Sequence, residues 1–182
     1  PEILNILVLG GSQAAKSFGD FLPKIFEQCT KENIKVKIFQ QCIEAQTSTL
    51  KEKYENLNIN YELFNFTDNI LKYFSKAELV ITRSGSSITA ELINCKIPFI
   101  SIPYSYSADA HQDKNAAYFE KKGYSFLIKE KEVNEKLFPL IKSIYKDKEI
   151  LNKLIEKQKN HSDSDVFLKI NNEVKNLINE KN

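Results

Sequence analysis

The sequence predicts an α/β fold: a doubly wound, parallel sheet of six strands with helices on both faces and a helical segment at the carboxyl end. Short apolar runs bounded by turn residues alternate with segments of helical period, as in parallel strands joined by crossover helices. A chain of 182 residues, 42% hydrophobic and 27% charged, can bury the core of one such domain.

Strands and helices alternate from the amino terminus. An apolar run that ends at Gly10-Gly11 is the first strand, and each later apolar run also gives way to turn residues and then to helical period. The predicted strands are Ile3–Leu9, Val36–Gln40, Tyr61–Phe64, Leu79–Thr82, Phe99–Ile102 and Ser125–Ile128. The helices between them are predicted at Lys16–Thr30, Ile43–Asn56, Asn69–Ser75, Ser87–Asn94 and Asp109–Lys122. We expect the Rossmann-like strand order 3-2-1-4-5-6.

Beyond Glu130 the pattern predicts helices only, at Glu132–Tyr145, Lys148–Lys159 and Asp165–Glu180. The last helix is amphipathic, with one apolar stripe formed by Val166, Ile170, Val174, Leu177 and Ile178. Such a stripe is either ordinary core packing or a surface that another domain covers. We therefore expect a main domain over residues 1–162 and a C-terminal helix over residues 163–182.

The composition argues against several classes of partner. A formal net charge of +2, with both signs interspersed, gives no field that would attract nucleic acid or a membrane surface. No apolar run approaches the ~20 residues of a membrane span, and the first residues lack an export signal. Cys29, Cys42 and Cys95 lack the spacing of metal ligands, so we expect buried or partly buried thiols in a reducing cytosol and no metal site.

Three loops are expected to meet at the carboxyl edge of the sheet. They are Gly10–Ala15, Arg83–Ser87 and Pro103–Gln112, and they flank the switch between the first and fourth strands, where ligands bind in open parallel sheets. Small residues, hydroxyl groups and a following helix make the first two loops suited to an anion. The sequence therefore predicts a ligand site at this edge.

The first loop, Gly10-Gly11-Ser12-Gln13, allows a ligand to approach the backbone closely. It lacks the third glycine of a dinucleotide fingerprint, and the second strand ends at residues 40–42 with no carboxylate. Nicotinamide and flavin cofactors are therefore disfavoured. Ala14 and Ala15 stand in place of that later glycine, and we expect Ala14 to narrow the loop without abolishing binding of a ligand, since alanine suits a first helical turn.

The second loop turns at Gly85 and is expected to start a helix at Ser86 or Ser87, with either serine as its N-cap. Free amides and the helix dipole there favour a phosphate. Glu91, one turn later, can accept hydrogen bonds from the two hydroxyl groups of a ribose. The alternative interpretation is a plain N-cap followed by a solvated glutamate.

The third loop places His111 and Gln112 at the opening of a helix. No carboxylate or nucleophilic serine is fixed beside His111 by the sequence, so a catalytic dyad is not supported. Gln112 carries both a donor and an acceptor and suits a sugar hydroxyl or an amide. His161 lies alone in a polar helical stretch and is expected to be solvated.

These motifs, in this order, closely resemble the donor-binding, carboxyl half of the MurG family, GT-B enzymes of glycosyltransferase family 28. The resemblance runs from Ile3 to the closing helix, which is essentially the whole chain. The motifs that carry it are Gly10-Gly11-Ser12-Gln13, Arg83-Ser84-Gly85, Thr89-Ala90-Glu91-Leu92, Pro103-Tyr104, His111-Gln112 and Asn115-Ala116.

The resemblance implies a role for each matching residue toward UDP-N-acetylglucosamine. Gly10, Gly11 and Ser12 would face the diphosphate, with Gln13 beside it. The backbone at Thr67 would read the uracil edge. The loop and helix start that would hold the diphosphate and sugar comprise Arg83, Ser84, Gly85, Ser86 and Ser87.

On the same resemblance Glu91 would bind the ribose hydroxyls, and His111 with Gln112 would contact N-acetylglucosamine. The implied reaction moves this sugar to lipid I, forming lipid II for peptidoglycan, by an inverting displacement without cofactor or metal. The family's amino-terminal acceptor domain, with the presumed base and the membrane-contacting surface, does not appear in this sequence. We expect donor binding but negligible transfer by this chain alone, in the cytoplasm and, when joined to an acceptor domain, at the inner face of the plasma membrane.

Three other hypotheses remain at this point. The chain could be the donor subunit of a two-chain transferase, as in the eukaryotic dolichol-linked N-acetylglucosamine transferase. It could instead be a noncatalytic module that binds a nucleotide sugar. A flavodoxin-like domain that binds no nucleotide is the plainest alternative, and the three ordered loops argue against it.

Overall fold

A computed structural model describes residues 3–104 and 111–161, in which strands and helices alternate along the chain. The six strands are β1 (Leu4–Leu9), β2 (Val36–Gln41), β3 (Asn60–Phe64), β4 (Leu79–Thr82), β5 (Phe99–Ser101) and β6 (Phe126–Leu127). The helices are α1 (Gly11–Lys31), α2 (Glu44–Asn56), α3 (Leu71–Phe74), α4 (Ser86–Asn94), α5 (His111–Lys122), α6 (Val133–Lys146) and α7 (Glu149–Lys159). A 3₁₀ helix, Glu130–Glu132, leads into α6.

The strands form one parallel sheet in the order β3-β2-β1-β4-β5-β6. The predicted fold class and strand order are therefore confirmed. The strand order reverses between β1 and β4, where Leu9 pairs with Thr82 at the carboxyl edge. This is the place at which an open parallel sheet leaves a crevice for a ligand.

The helix after β1 begins earlier than predicted. Its first residue is Gly11 and not Lys16, because Ala14 and Ala15 continue a helix well and nothing in residues 11–15 breaks it. The expected loop Gly10–Ala15 is thus reduced to the turn at Gly10. The predicted helix Asp165–Glu180 lies outside the described residues.

The two faces of the sheet are covered by separate apolar clusters. In β1, Leu4, Ile6 and Val8 belong to one cluster with α1, α2 and α6, whereas Leu7 and Leu9 belong to the other with α3 and α4. This alternation is what a strand buried on both faces requires. The sheet is therefore a rigid layer, and its carboxyl edge holds the loops in fixed relative positions.

The cysteines do not share one environment. Cys29 and Cys42 are buried, as expected, but Cys95 is exposed because it caps the carboxyl end of α4, where the chain turns away from the core. Burial raises the pKa of the Cys29 thiol to about 12, so this thiol stays protonated at neutral pH. The expectation of three buried or partly buried thiols is wrong for Cys95.

Candidate functional site

A cavity of about 390 Å³ opens at the carboxyl edge of the sheet, beside the switch between β1 and β4. Its walls come from the ends of the first four strands, the loops that follow them, and helices α4 and α5. The lining residues are Leu9, Gly10, Gln41, Phe64, Phe66, Thr67, Ile70, Thr82, Arg83, Gly85, Ile88, Glu91 and Gln112. Its volume lies in the range of small-molecule sites.

The cavity collects many of the residues that the sequence singled out. Six predicted site residues line it: Gly10, Thr67, Arg83, Gly85, Glu91 and Gln112. Four others, Ser84, Ser86, Ser87 and His111, are not among the lining residues. For Gly11, Ser12 and Gln13 the structure describes the helical backbone at the start of α1 but not the side chains.

Helix α4 starts without a serine cap. Its N-cap is Gly85, in an extended conformation, and no side-chain capping hydrogen bond is present at this helix start. Ser86 and Ser87 are instead the first two helical residues, so the expectation that one of them is the N-cap is wrong. Because no side-chain cap occupies the first turn, its amide groups remain available to an anion.

The buried side chain of Thr89 and the partly buried side chain of Asn115 fix this helix start. The Thr89 hydroxyl donates to the Gly85 carbonyl at 2.8 Å, and the Asn115 amide donates to the Ser84 carbonyl at 2.9 Å. The same Asn115 amide also donates to the Thr89 hydroxyl at 3.1 Å. Through Asn115, helix α5 thus holds the loop before α4. The hydrogen bonds join Asn115 to Ser84 and Thr89, which lie more than 20 positions earlier in the chain.

Arg83 is buried, with 5% of its side-chain surface exposed. One guanidinium nitrogen donates to the carbonyls of Ile102 and Pro103 at 3.1 and 3.2 Å. The other donates to the Ser17 hydroxyl and to the Glu130 carboxylate, the latter at 2.9 Å. The charge of Arg83 is therefore engaged inside the protein, beneath the cavity wall that this residue helps to form.

The carbonyl oxygen of Gln112 accepts a hydrogen bond from the Tyr104 backbone amide at 3.0 Å. A backbone N–H can only donate, so the orientation of the Gln112 amide is fixed and its NH₂ group is left for other partners. His111 is exposed at the start of α5 and does not line the cavity. Of the predicted sugar pair, only Gln112 is thus placed at the cavity.

The far end of the cavity is apolar and lies beyond β3. Phe64 lines it and stacks on Tyr73 with ring centroids 4.2 Å apart, while Phe66 is 79% exposed at the rim. The Thr67 hydroxyl accepts a hydrogen bond from the Asn69 amide at 3.1 Å, which shapes the turn into α3. A flat, uncharged group could fit between such walls.

Several lining residues were not predicted as site residues. Gln41 and Phe64 are the last residues of the paired strands β2 and β3. Their position at the carboxyl edge of the sheet is the feature of the sequence that could have marked them as site residues. Phe66, Ile70 and Ile88 carry no motif that marks them in the sequence. Their place in the cavity depends on how the loop after β3 packs beside α4.

Residues 3–104 and 111–161 contain no group of three or more metal-binding side chains of His, Cys, Asp or Glu. In the same part of the chain, no helix combines the length and the apolar character needed to cross a membrane. Among the described residues that line the cavity, Arg83 and Glu91 are charged, and the other polar side chains are those of Gln41, Thr67, Thr82 and Gln112.

Known proteins resemble this chain in sequence and structure. It is 36% identical over 98% of its length to a Pelagibacter ubique protein named UDP-N-acetylglucosamine–N-acetylmuramyl-(pentapeptide) pyrophosphoryl-undecaprenol N-acetylglucosamine transferase, and 36% identical over 75% of its length to the Rickettsia bellii protein of that name. The match covers 50% and 40% of those two proteins. The crystal structure of Acinetobacter baumannii MurG superposes with a TM-score of 0.78 at 25% identity, covering 88% of this chain and 48% of that one.

The complex of Staphylococcus aureus MnaA with UDP shares the fold alone, with a TM-score of 0.63 at 14% identity over 97% of this chain and 46% of that one. The chain spans about half the length of the relatives it matches. The model of the glycosyltransferase family 28 C-terminal domain matches residues 5–172. The chain therefore belongs to the glycosyltransferase family 28 C-terminal domain family.

Proposed function

We propose that this chain is the donor-binding half of an N-acetylglucosaminyltransferase and holds UDP-N-acetylglucosamine in the carboxyl-edge cavity. The observation that carries the proposal is the convergence of Gly10, Thr67, Gly85, Glu91 and Gln112 on one cavity. These residues come from separate strand ends and helices, and each offers the type of group that one part of a nucleotide sugar needs. The family membership supports the same assignment.

The phosphates would lie between Gly10 and the start of α4. Both are backbone surfaces without a bulky side chain, and the uncapped first turn of α4 offers amides and the positive end of a helix dipole. This arrangement would stabilise the charge that develops on UDP as it leaves the sugar. No metal is needed for that role, because backbone amides supply the compensating dipoles.

The position of the diphosphate would determine where the ribose, the uracil and the sugar of the donor lie. Glu91 would accept hydrogen bonds from the two ribose hydroxyls, and the uracil would lie toward Thr67 and the apolar end near Phe64 and Phe66. On the other side, the NH₂ group of Gln112 would donate to a hydroxyl oxygen of the sugar. Among these groups only Glu91 carries a charge, and its partners would be the ribose hydroxyls and not the phosphates, whose charge has the same sign.

The full reaction would need groups beyond this chain. By analogy with the names of its relatives, a hydroxyl of lipid I would attack the anomeric carbon, the bond to the UDP oxygen would break, and lipid II would form. The binding site for the acceptor, the base that takes the hydroxyl proton and the surface that contacts the membrane would belong to a separate acceptor domain. This chain alone would bind the donor and transfer sugar negligibly.

Calorimetric titration with four ligands tests the proposal. UDP-N-acetylglucosamine and UDP should bind saturably at one site, whereas NADH should not bind, because the loop at Gly10 and the end of β2 lack the dinucleotide features. UDP-N-acetylgalactosamine measures how far the site distinguishes the C4 epimer. The absence of binding by every uridine nucleotide would contradict the proposed function.

A further inference from the structure

The Arg83 guanidinium connects segments that follow four different strands of the sheet. Arg83 itself follows β4, its partner Ser17 lies in α1 after β1, and the carbonyls of Ile102 and Pro103 follow β5. Its carboxylate partner, Glu130, follows β6. One side chain therefore joins the elements that form the phosphate side of the cavity.

Aromatic rings complete the surroundings of this guanidinium. Its central carbon lies 4.3 Å from the ring centroid of Phe18 and 5.3 Å from that of Tyr104. Both contacts are within the range of cation–π interaction. The position of Arg83 is thus fixed by apolar contacts and by hydrogen bonds, and a small displacement would disturb several of them together.

Glu130 is the carboxylate that neutralises Arg83. Its side chain is 22% exposed, against 5% for that of Arg83, and the two charged groups are 2.9 Å apart. A buried charge without a partner is costly, and Glu130 supplies the carboxylate that compensates the charge of Arg83. Glu130 is not among the lining residues of the cavity, whereas its partner Arg83 is, so Glu130 can act on a ligand through the position of Arg83.

Arg83 is connected to two of the residues proposed to contact the donor, Gln112 and Gly85. The loop held by its bonds to Ile102 and Pro103 continues to Tyr104, whose amide orients Gln112. Arg83 immediately follows β4 and precedes the segment that leads to Gly85 and the start of α4. The phosphate and sugar sides of the cavity share this support, whereas Thr67 and the apolar end near Phe64 have no hydrogen bond to it in the described residues.

We infer that Glu130 is a positioning residue for donor binding: through Arg83 it holds the loops after β4 and β5 in the arrangement that receives the diphosphate and sugar. The identity of the ligand in this inference rests on the proposed function, whereas the role of Glu130 in holding the two loops does not. A positioning role and a purely electrostatic role of Glu130 predict opposite changes in the affinity for an anion when Glu130 is replaced. Removal of a negative charge near a phosphate site would by itself strengthen binding of an anion, whereas loss of positioning weakens it.

The test compares Glu130→Ala and Glu130→Gln with Glu135→Ala, a matched control at an exposed glutamate in the first turn of α6. Dissociation constants for uridine and UDP are measured by calorimetry, with thermal unfolding to confirm that each variant is folded. Glu130→Ala should raise the UDP constant by about tenfold and leave the uridine constant within about twofold. Glu130→Gln, which can still accept a hydrogen bond from Arg83, should lie between Glu130→Ala and the wild type.

A second measurement needs no ligand. Amide hydrogen exchange should become about tenfold faster in Glu130→Ala at Ile102, which donates to Thr82, and at Thr89, which donates to Gly85, and stay unchanged in Glu135→Ala. Unchanged exchange at both amides would overturn the inference even if the wild-type chain binds no uridine nucleotide. Unchanged or tighter UDP binding, or equal weakening of uridine and UDP, would also overturn it.

Discussion

Glu91→Ala is expected to weaken UDP binding by about 10- to 100-fold, the factor that corresponds to losing hydrogen bonds to a charged group. Glu91 lies on the surface of α4, at the rim of the cavity, and is the only acidic residue in the lining among residues 3–104 and 111–161. Its exposure means that the substitution removes no core contact, so the fold should be unaffected. Calorimetric titration of wild type and variant with UDP measures the change.

Glu52→Ala is the matched control for this substitution. Glu52 is an exposed glutamate on α2 that does not line the cavity, so its loss should leave the affinity unchanged. A second ligand sharpens the comparison: 2′-deoxy-UDP should bind the wild type more weakly than UDP but bind Glu91→Ala as well as UDP does. A Glu91→Ala chain that still distinguished the two ligands would show that another group reads the ribose.

Leu22→Ala is expected to lower the free energy of unfolding by about 2–5 kcal/mol, the range for truncating a buried leucine. Leu22 has no exposed surface and lies in α1, within the apolar cluster that covers one face of the sheet. Its truncation removes apolar contacts and leaves a cavity between α1 and the strands. Urea denaturation followed by circular dichroism measures the loss.

The control for Leu22→Ala is the same substitution of leucine by alanine at an exposed position. Leu71 in α3 is 63% exposed, so Leu71→Ala should change the free energy of unfolding by about 0.5 kcal/mol or less. Equal losses in the two variants would mean that the face of α1 that carries Leu22 does not form the core. The same pair of variants should leave UDP binding unchanged wherever the chain is still folded.

The sheet and its order could be predicted because the signals are local. Each strand is an apolar run with turn residues at its end, and the alternation with helices restricts the topology to few parallel arrangements. Once the order was known, the edge that carries Gly85, Glu91 and Gln112 followed from the switch between β1 and β4. The general position of the site is therefore a property of the strand pattern.

The details that the sequence did not predict depend on contacts between distant residues. Arg83 belongs to a motif, but in its buried position it pairs with Glu130, 47 positions later. Helix α4 starts at Ser86, one of the two predicted positions, but its start without a hydroxyl cap and the hydrogen bond from Asn115 to the Ser84 carbonyl were not predicted. Periodicity and spacing describe neighbours along the chain, so they could not distinguish a side chain that holds a loop from one that faces a ligand.

Binding of UDP in the carboxyl-edge cavity can be tested by the change in the amide ¹H–¹⁵N spectrum of the chain on addition of UDP. We expect the largest shifts at Gly10, Thr67 and Gly85, all at the carboxyl edge of the sheet, with a further shift at Gln112 when UDP-N-acetylglucosamine replaces UDP. Shifts concentrated at the opposite edge, in the cavity of about 350 Å³ beside Asn33 and Asn58, or no shifts at saturating UDP, would contradict it.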